Sequence, residues 1–223
     1  VVVPTISNQF YSRVLKGIQL AAQSAGYHTM LAITNSDADI EQEHINMARR
    51  KLVDGVIFLH TTMDAAALTE FAAACPAVSA CELVGGASIS TVSIDDFRAA
   101  LDGVRFLLQN GCRRIAFISA GNLYNSSRCR RMGYERALAE AGIRPEEALI
   151  LDEGFTFNAG KRAAERLLRM DRLPDAVFAT SDSTAIGVIS ALAQHGVRVC
   201  EDVSVMGFDN NQIAEYYLPP LTT

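Results

Sequence analysis

The chain has 223 residues, 49% hydrophobic and 20% charged, with a formal net charge of -5. That length and apolar content supply the core of one large or two compact domains and exclude a disordered chain. The acidic balance argues against a surface that grips a phosphate backbone, which needs clustered Lys and Arg.

Short β-branched runs alternate with longer helical segments from the first residue onward. Val1 to Val3 reads as a strand, and Phe10 to Ala25 as a helix whose apolar face carries Val14, Leu15, Ile18, Ala21 and Ala22 at three-and-four spacing. His28 to Ile33 is the next strand, and Asp37-Ala38-Asp39 caps a helix running to about Lys51. Asp54-Gly55 turns into a buried strand at Val56 to Leu59, followed by helix Ala65 to Ala74, strand Val78 to Cys81, strand Thr91 to Ile94 and helix Phe97 to Gln109. After Asn110-Gly111 the rhythm restarts with strand Arg114 to Ser119, helix Ser127 to Ala141, strand Ala148 to Leu151 and helix Asn158 to Met170. Strand Ala176 to Thr180, helix Ser183 to Gln194 and strand Ser204 to Gly207 complete it. Such alternation implies right-handed βαβ crossovers and parallel sheets. The expected fold class is α/β, two similar Rossmann-like lobes with parallel sheets flanked by helices. The N-terminal lobe is expected over 1-110 and the C-terminal lobe over 111-218, with a hinge near Asn110 to Arg114. Leu218-Pro219-Pro220-Leu221-Thr222-Thr223 cannot continue a helix, because proline lacks the amide donor, and reads as an extended connector.

No stretch approaches the ~20 apolar residues that cross a bilayer, and no basic-then-apolar leader is visible. The chain opens Val1-Val2-Val3-Pro4 without Met, as though cut inside a strand, so sequence upstream of it is expected. Five cysteines (Cys75, Cys81, Cys112, Cys129, Cys200) form no C-x-x-C pair and are odd in number. They predict reduced thiols in a cytoplasmic protein rather than a disulfide framework or zinc site. His28, His44, His60 and His195 lack metal-ligand spacing and read as ordinary surface or edge residues, so no metal and no cofactor are expected.

No G-x-S-x-G elbow, phosphate loop or G-x-G-x-x-G occurs, and no catalytic constellation is apparent. An aromatic, basic and acidic set does fall where strands end and helices begin: Phe10-Tyr11, Asp95-Asp96, Arg130, Phe155, Asp182 and Asp209. In an open parallel sheet ligands bind beyond the carboxyl ends of the strands, so the set suits a polar small molecule. Each member has a plainer alternative. Phe10 and Tyr11 can be core, Asp96 and Asp182 can be helix N-caps, Asp209 can be a turn residue and Arg130 a solvated helix residue. Asp95 and Asp96, adjacent on an extended chain, point apart and make a poor shared-proton dyad.

Read together, several segments resemble the effector-binding core of the LacI/GalR family of bacterial transcription regulators, itself similar to periplasmic sugar-binding proteins. They are Ser7-Asn8-Gln9-Phe10-Tyr11, Asp54-Gly55-Val56-Ile57, Val92-Ser93-Ile94-Asp95-Asp96, Arg130-Arg131-Met132-Gly133-Tyr134 and Phe178-Ala179-Thr180-Ser181-Asp182. Asp202 to Asn210 and Pro219 to Thr223 extend the series, and Gly154 to Gly160 is most similar to the cytidine and purine repressors.

The resemblance implies a periplasmic-binding-protein-like fold of type I that binds a small sugar, nucleoside or purine-like effector between two lobes. It implies that Phe10 and Tyr11 cover one face of the effector and that Phe155 stacks on the other. Arg130, Asp182 and Asp209 would hydrogen-bond it, Asp95 would contribute from the first lobe, and Tyr124 and Ser126 would line a contacting loop. It further implies a homodimer whose face includes the helix from about Ile40 to Lys51; Ile45, Met47 and Leu52 could serve that face, with core packing as the equal alternative. Operator DNA would be read by an N-terminal headpiece that this sequence does not contain, and 219-223 would begin a return crossover to the first lobe. The expected function is that of a regulator's effector-sensing core, a repressor and not an enzyme. A periplasmic solute-binding protein for sugar uptake is the alternative.

Overall fold

Parallel strands need a long crossover between neighbours, and a helix packed on the sheet supplies it. The computed structural model describes residues 1–223, the side chain of Leu123 excepted, and divides into two compact units, Val1–Ile94 and Asp95–Thr223.

The first unit runs β1 (Val2–Val3), α1 (Gln9–Ser24), β2 (Ala32–Ile33), α2 (Ala38–Arg49), β3 (Val56–Phe58), α3 (Ala65–Ala74), β4 (Ala77–Ala80) and β5 (Ser90–Val92). All pairings are parallel, in the order β2-β1-β3-β4-β5. Successive strand residues face opposite sides, so Val2 packs with Ile45, Ala48, Leu68 and Phe71 of α2 and α3. Val3 packs instead with Tyr11 and Leu59, against Val14, Leu15 and Ile18 of α1. The helix starts follow their capping side chains. Asn8 accepts the Phe10 amide, Asp37 those of Asp39 and Ile40, and Asp64 that of Ala67. The strand expected over His28 to Ile33 shortens to Ala32–Ile33, because it lies at the sheet edge and pairs on one side only. Ile45, left open between a dimer face and the core, is core, since it covers Val2 and Phe58; Leu52 is exposed.

The second unit runs α4 (Asp96–Gln109), β6 (Ile115–Ser119), α5 (Asn125–Glu140), β7 (Ile150–Asp152), α6 (Phe157–Leu167), β8 (Ala176–Ala179), α7 (Asp182–Gln194), β9 (Ser204–Met206) and a short α8 (Gln212–Tyr216). Its parallel sheet has the order β7-β6-β8-β9, the same winding as the first. Alternation again sorts the core. Phe117, Phe178 and Met206 face Ala100, Leu101 and Val104 of α4 and Tyr134 of α5, while Ala116, Ile118, Val177 and Val205 face α6 and α7. Because α4 buries its apolar face on this sheet, the division falls between Ile94 and Asp95 and not at the expected 110. The closing Leu-Pro-Pro-Leu-Thr-Thr stretch is extended, as expected, but its end belongs to this unit. Thr222 bridges Met206 in parallel, Gly207 N donates to Thr222 O at 2.8 Å, and Leu221 is buried.

Glycines set how closely the helices pair. A Cβ at Gly133 of α5 would overlap Phe97 O, and one at Gly160 of α6 would overlap Thr184 O of α7. Backbone cannot yield as a flexible side chain does, so Gly160→Ala should destabilise the protein by roughly 1–3 kcal/mol or more through overpacking. Urea denaturation measures this; an unchanged midpoint would refute so close a helix contact.

Candidate functional site

Both sheets reverse strand order at one point, between β1 and β3 and between β6 and β8, and ligands of such sheets sit beyond the carboxyl ends of the strands there. In the first unit this edge carries Phe10 and Tyr11, their rings edge-to-face at 5.2 Å. Tyr11 is buried against Val3 and Leu59, whereas Phe10 is half-buried. The loop leaving β3 is pinned from α2. Glu41, almost fully buried, accepts the Thr61 hydroxyl, the Thr62 amide at 2.8 Å and the Thr62 hydroxyl at 2.8 Å. His60, read from sequence as an ordinary edge residue, is half-buried in that loop, where burial holds its pKa below the usual range against the pull of Glu41.

The second unit gathers more of the set. Arg130 lies on α5, whose roll is fixed one turn later by Tyr134: its hydroxyl donates to Ile115 O at 2.8 Å and its ring stacks on Phe117 at 5.0 Å. Arg130 is thereby brought to the end of β8, where Nη1 donates to Thr180 O at 2.6 Å and Nε to Asp96 Oδ1 at 2.8 Å. The guanidinium carbon stands 3.7 Å from the centroid of Phe208. A solvated helix position is thus excluded for Arg130, which is buried and paired.

Two aspartates exchange their expected roles. Asp95 is exposed and caps α4 by accepting the Arg98 amide at 2.8 Å, and it belongs to the second unit, not the first lobe. Asp96, read as a cap, is the buried partner of Arg130. Asp182 is not the N-cap of α7, since Ser181 is, accepting the Thr184 amide. Asp182 is wholly buried, accepts the Asn211 amide at 2.6 Å, and donates its own amide to Phe208 O at 2.8 Å. It therefore braces the turn after β9 rather than facing solvent. That turn holds Asp209 at φ 99° and Asn210 at φ 49°, left-handed positions that such residues occupy only when neighbours enforce them. Asp209, half-buried, has its carboxyl pushed up to about 7, chiefly by burial, with Arg130 opposing and Asp182 and Asp96 adding to the rise.

Tyr124 and Phe155, on the loops after β6 and β7, meet edge-to-face at 5.2 Å. Ser126 is buried at the start of α5. Phe155 O accepts the Ser181 hydroxyl at 3.3 Å, next to the Thr180 carbonyl that holds Arg130, so the aromatic pair and the charged cluster share one edge.

A family described as periplasmic binding protein-like domain matches residues 104–223. The HTH-type transcriptional repressor CytR of Escherichia coli is 34% identical over 224 residues and covers the whole chain, which spans 66% of that protein, just under two thirds. Catabolite control protein A of Priestia megaterium is 32% identical over the whole chain, which spans 68% of it. This chain belongs to the LacI family of transcriptional regulators. A LacI-family regulator of Lactobacillus casei, solved with bound glucose, superposes with a TM-score of 0.89 at 25% identity, covering 100% of this chain and 84% of that one.

Sequence reasoning singled out neither Phe208 nor Thr180 in this cluster, and it left Asp96, grouped with the polar set, as a helix cap. Phe208 sits between Gly207 and Asp209 at a strand end, a pattern that marked Asp209 and could have marked its neighbour.

The raised carboxyl of Asp209 has a signed consequence. Between its ordinary value near 4 and about 7, the folded chain holds a proton that the unfolded chain has released, so stability falls as pH rises through that window. The slope is up to about 1.4 kcal/mol per pH unit. Asp209→Asn should flatten that slope, so thermal melts of the variant should gain on wild type from pH 5 to pH 8. A constant difference would show that Asp209 titrates normally. Arg130→Gln should cost about 3–5 kcal/mol by leaving Asp96 buried without its partner, and Asp96→Asn added to it should recover part of that loss in the same melts.

Proposed function

We propose that the chain is the effector-sensing core of a DNA-binding repressor, taking a small sugar, nucleoside or purine-like ligand. The observation that carries this is Arg130, held at the strand ends by Asp96, Thr180 and Phe208 beside Asp209, with the Tyr124–Phe155 pair on the same edge. Aromatic faces give apolar contact, and a few fixed polar groups orient the ligand. Phe10 and Tyr11 are proposed as ligand-facing residues of the first unit's own strand-end edge, and Ser126 is proposed to join the second unit's edge from the start of α5. Asp182 and Asp95 act by holding the turn after β9 and the first turn of α4.

A ligand shifts a conformational balance only by binding one state better than another. In the whole regulator that shift would alter how DNA-reading headpieces meet paired half-sites. Such a protein works in the cytoplasm, and five cysteines outside any disulfide suit a reducing compartment. No helix among the described residues is long and apolar enough to cross a membrane. A periplasmic carrier is disfavoured because the relatives named above are regulators of transcription. We propose no catalysis, since the charged groups of the site are committed to one another.

Calorimetric titration with nucleosides, purines and sugars tests this. Phe155→Ala and Arg130→Ala should each weaken the bound ligand by roughly tenfold or more. A ligand that binds both variants as well as wild type would overturn the assignment.

A homodimer is part of the proposal. Leu20, Tyr27, Met30 and Leu31 are exposed, and Leu15, Gln19, Met30 and Leu31 line a groove of about 320 Å³ between α1 and the approach to β2. Several large apolar side chains exposed around one groove suit an association site. Met30→Glu with Leu31→Glu should yield a monomer in analytical ultracentrifugation; an unaltered dimer would move the interface elsewhere.

A further inference from the structure

We infer that the second-unit site selects an uncharged effector over a phosphorylated or carboxylated one, and that Asp96 is the positioning residue that sets this choice. The inference rests on the reading of that edge as the effector site.

A lone guanidinium at a strand end would invite an anion, since its planar fork matches phosphate and carboxylate. Here part of that capacity, and its charge, is already engaged. Nε of Arg130 meets the Asp96 carboxylate at 2.8 Å, Nη1 meets the Thr180 carbonyl at 2.6 Å, and one face covers Phe208. The neighbouring arginines of α5 are turned to other partners, Arg128 to Asn125 and Arg131 to Glu135. Asp182 and Asp209 bring two more carboxylates to the same edge. Burial, with the carboxylates of Asp182 and Asp96 adding to it, pushes the Asp209 carboxyl up to about 7 against the pull of Arg130, so it still carries part of its negative charge at neutral pH.

A phosphate dianion placed there would meet more negative than positive charge in a partly dehydrated setting, where like charges repel strongly. A neutral polyol or base fits better, because its hydroxyl and N–H groups can donate to Asp209 and its oxygens can accept from the guanidinium. Asp96 decides the matter because it is the charge directly on Arg130. Asp96→Asn keeps the shape and removes that charge, which should convert the edge into an anion site.

Two arms test this. In the first, wild type and variants are titrated calorimetrically with inorganic phosphate. Wild type should show no saturable binding, Asp96→Asn should gain it, and Asp96→Asn with Arg130→Gln should lose it again. Asp209→Asn leaves the Arg130–Asp96 pair intact and should move in the same direction to a smaller extent, which keeps the test open if Asp96→Asn folds poorly. In the second arm, cytidine is compared with cytidine 5′-monophosphate and glucose with glucose 6-phosphate. Wherever the neutral member binds wild type, the phosphorylated member should be at least roughly tenfold weaker, and Asp96→Asn should narrow the gap. The inference is overturned if wild type binds phosphate or a phosphorylated member as tightly as the neutral one and loses it with Arg130→Gln. It is equally overturned if folded Asp96→Asn and Asp209→Asn both gain no anion binding. The expected phosphate result without any neutral ligand bound would count against the choice of effectors while supporting the charge selection.

Discussion

The buried pair of Arg130 and Asp96 is the interaction on which the second unit's site depends. It joins the first turn of α4 to α5, and through Thr180 O it fixes both to the end of β8. A charge taken out of water costs several kcal/mol unless a partner and hydrogen bonds replace the lost hydration. Here a carboxylate, a carbonyl and an aromatic face replace it together. The arrangement admits little movement, because shifting any one partner would leave a charge uncompensated. Rigid placement of a polar group is what a recognition site requires.

Around that pair the fold supplies two kinds of support. Tyr134, buried and bonded to Ile115 O, sets the roll of α5, while Gly133 lets α4 approach within backbone contact. On the far side, Asp182 holds the turn after β9 by accepting the Asn211 amide, so that Asp209 and Asn210 can keep left-handed backbones. The first unit uses the same logic with other residues. Glu41 pins the loop after β3 through Thr61 and Thr62.

Most of the element order was legible from periodicity, because a parallel α/β sheet repeats one grammar of buried run and amphipathic helix. α3 falls on the expected residues, and α1, α4 and α7 lie within a residue or two. The edge strand β2 and the short α8 were less legible, since one-sided pairing and a five-residue helix leave little pattern to read. Arg130, Phe155 and Asp209 were picked out from sequence as strand-end residues, and Tyr124 only through the family resemblance. The division of labour between Asp95 and Asp96 was misread. Both stand at a helix start, and a cap differs from a buried ion-pair partner only in what the other side of the fold presents.

The sequence by itself determined the alternation of strands and helices, the parallel winding that follows from it, and the rough edge on which polar residues collect. Those features depend on spacing within a few turns of chain, which local chemistry dictates. Tertiary structure alone decided that α4 belongs with the second sheet, that Ile45 is core and that Asp182 is wholly buried. It alone decided that Asp96 pairs with Arg130, 34 positions away. These outcomes depend on contacts between residues far apart in the chain, where burial changes what a charge costs and spacing carries no information.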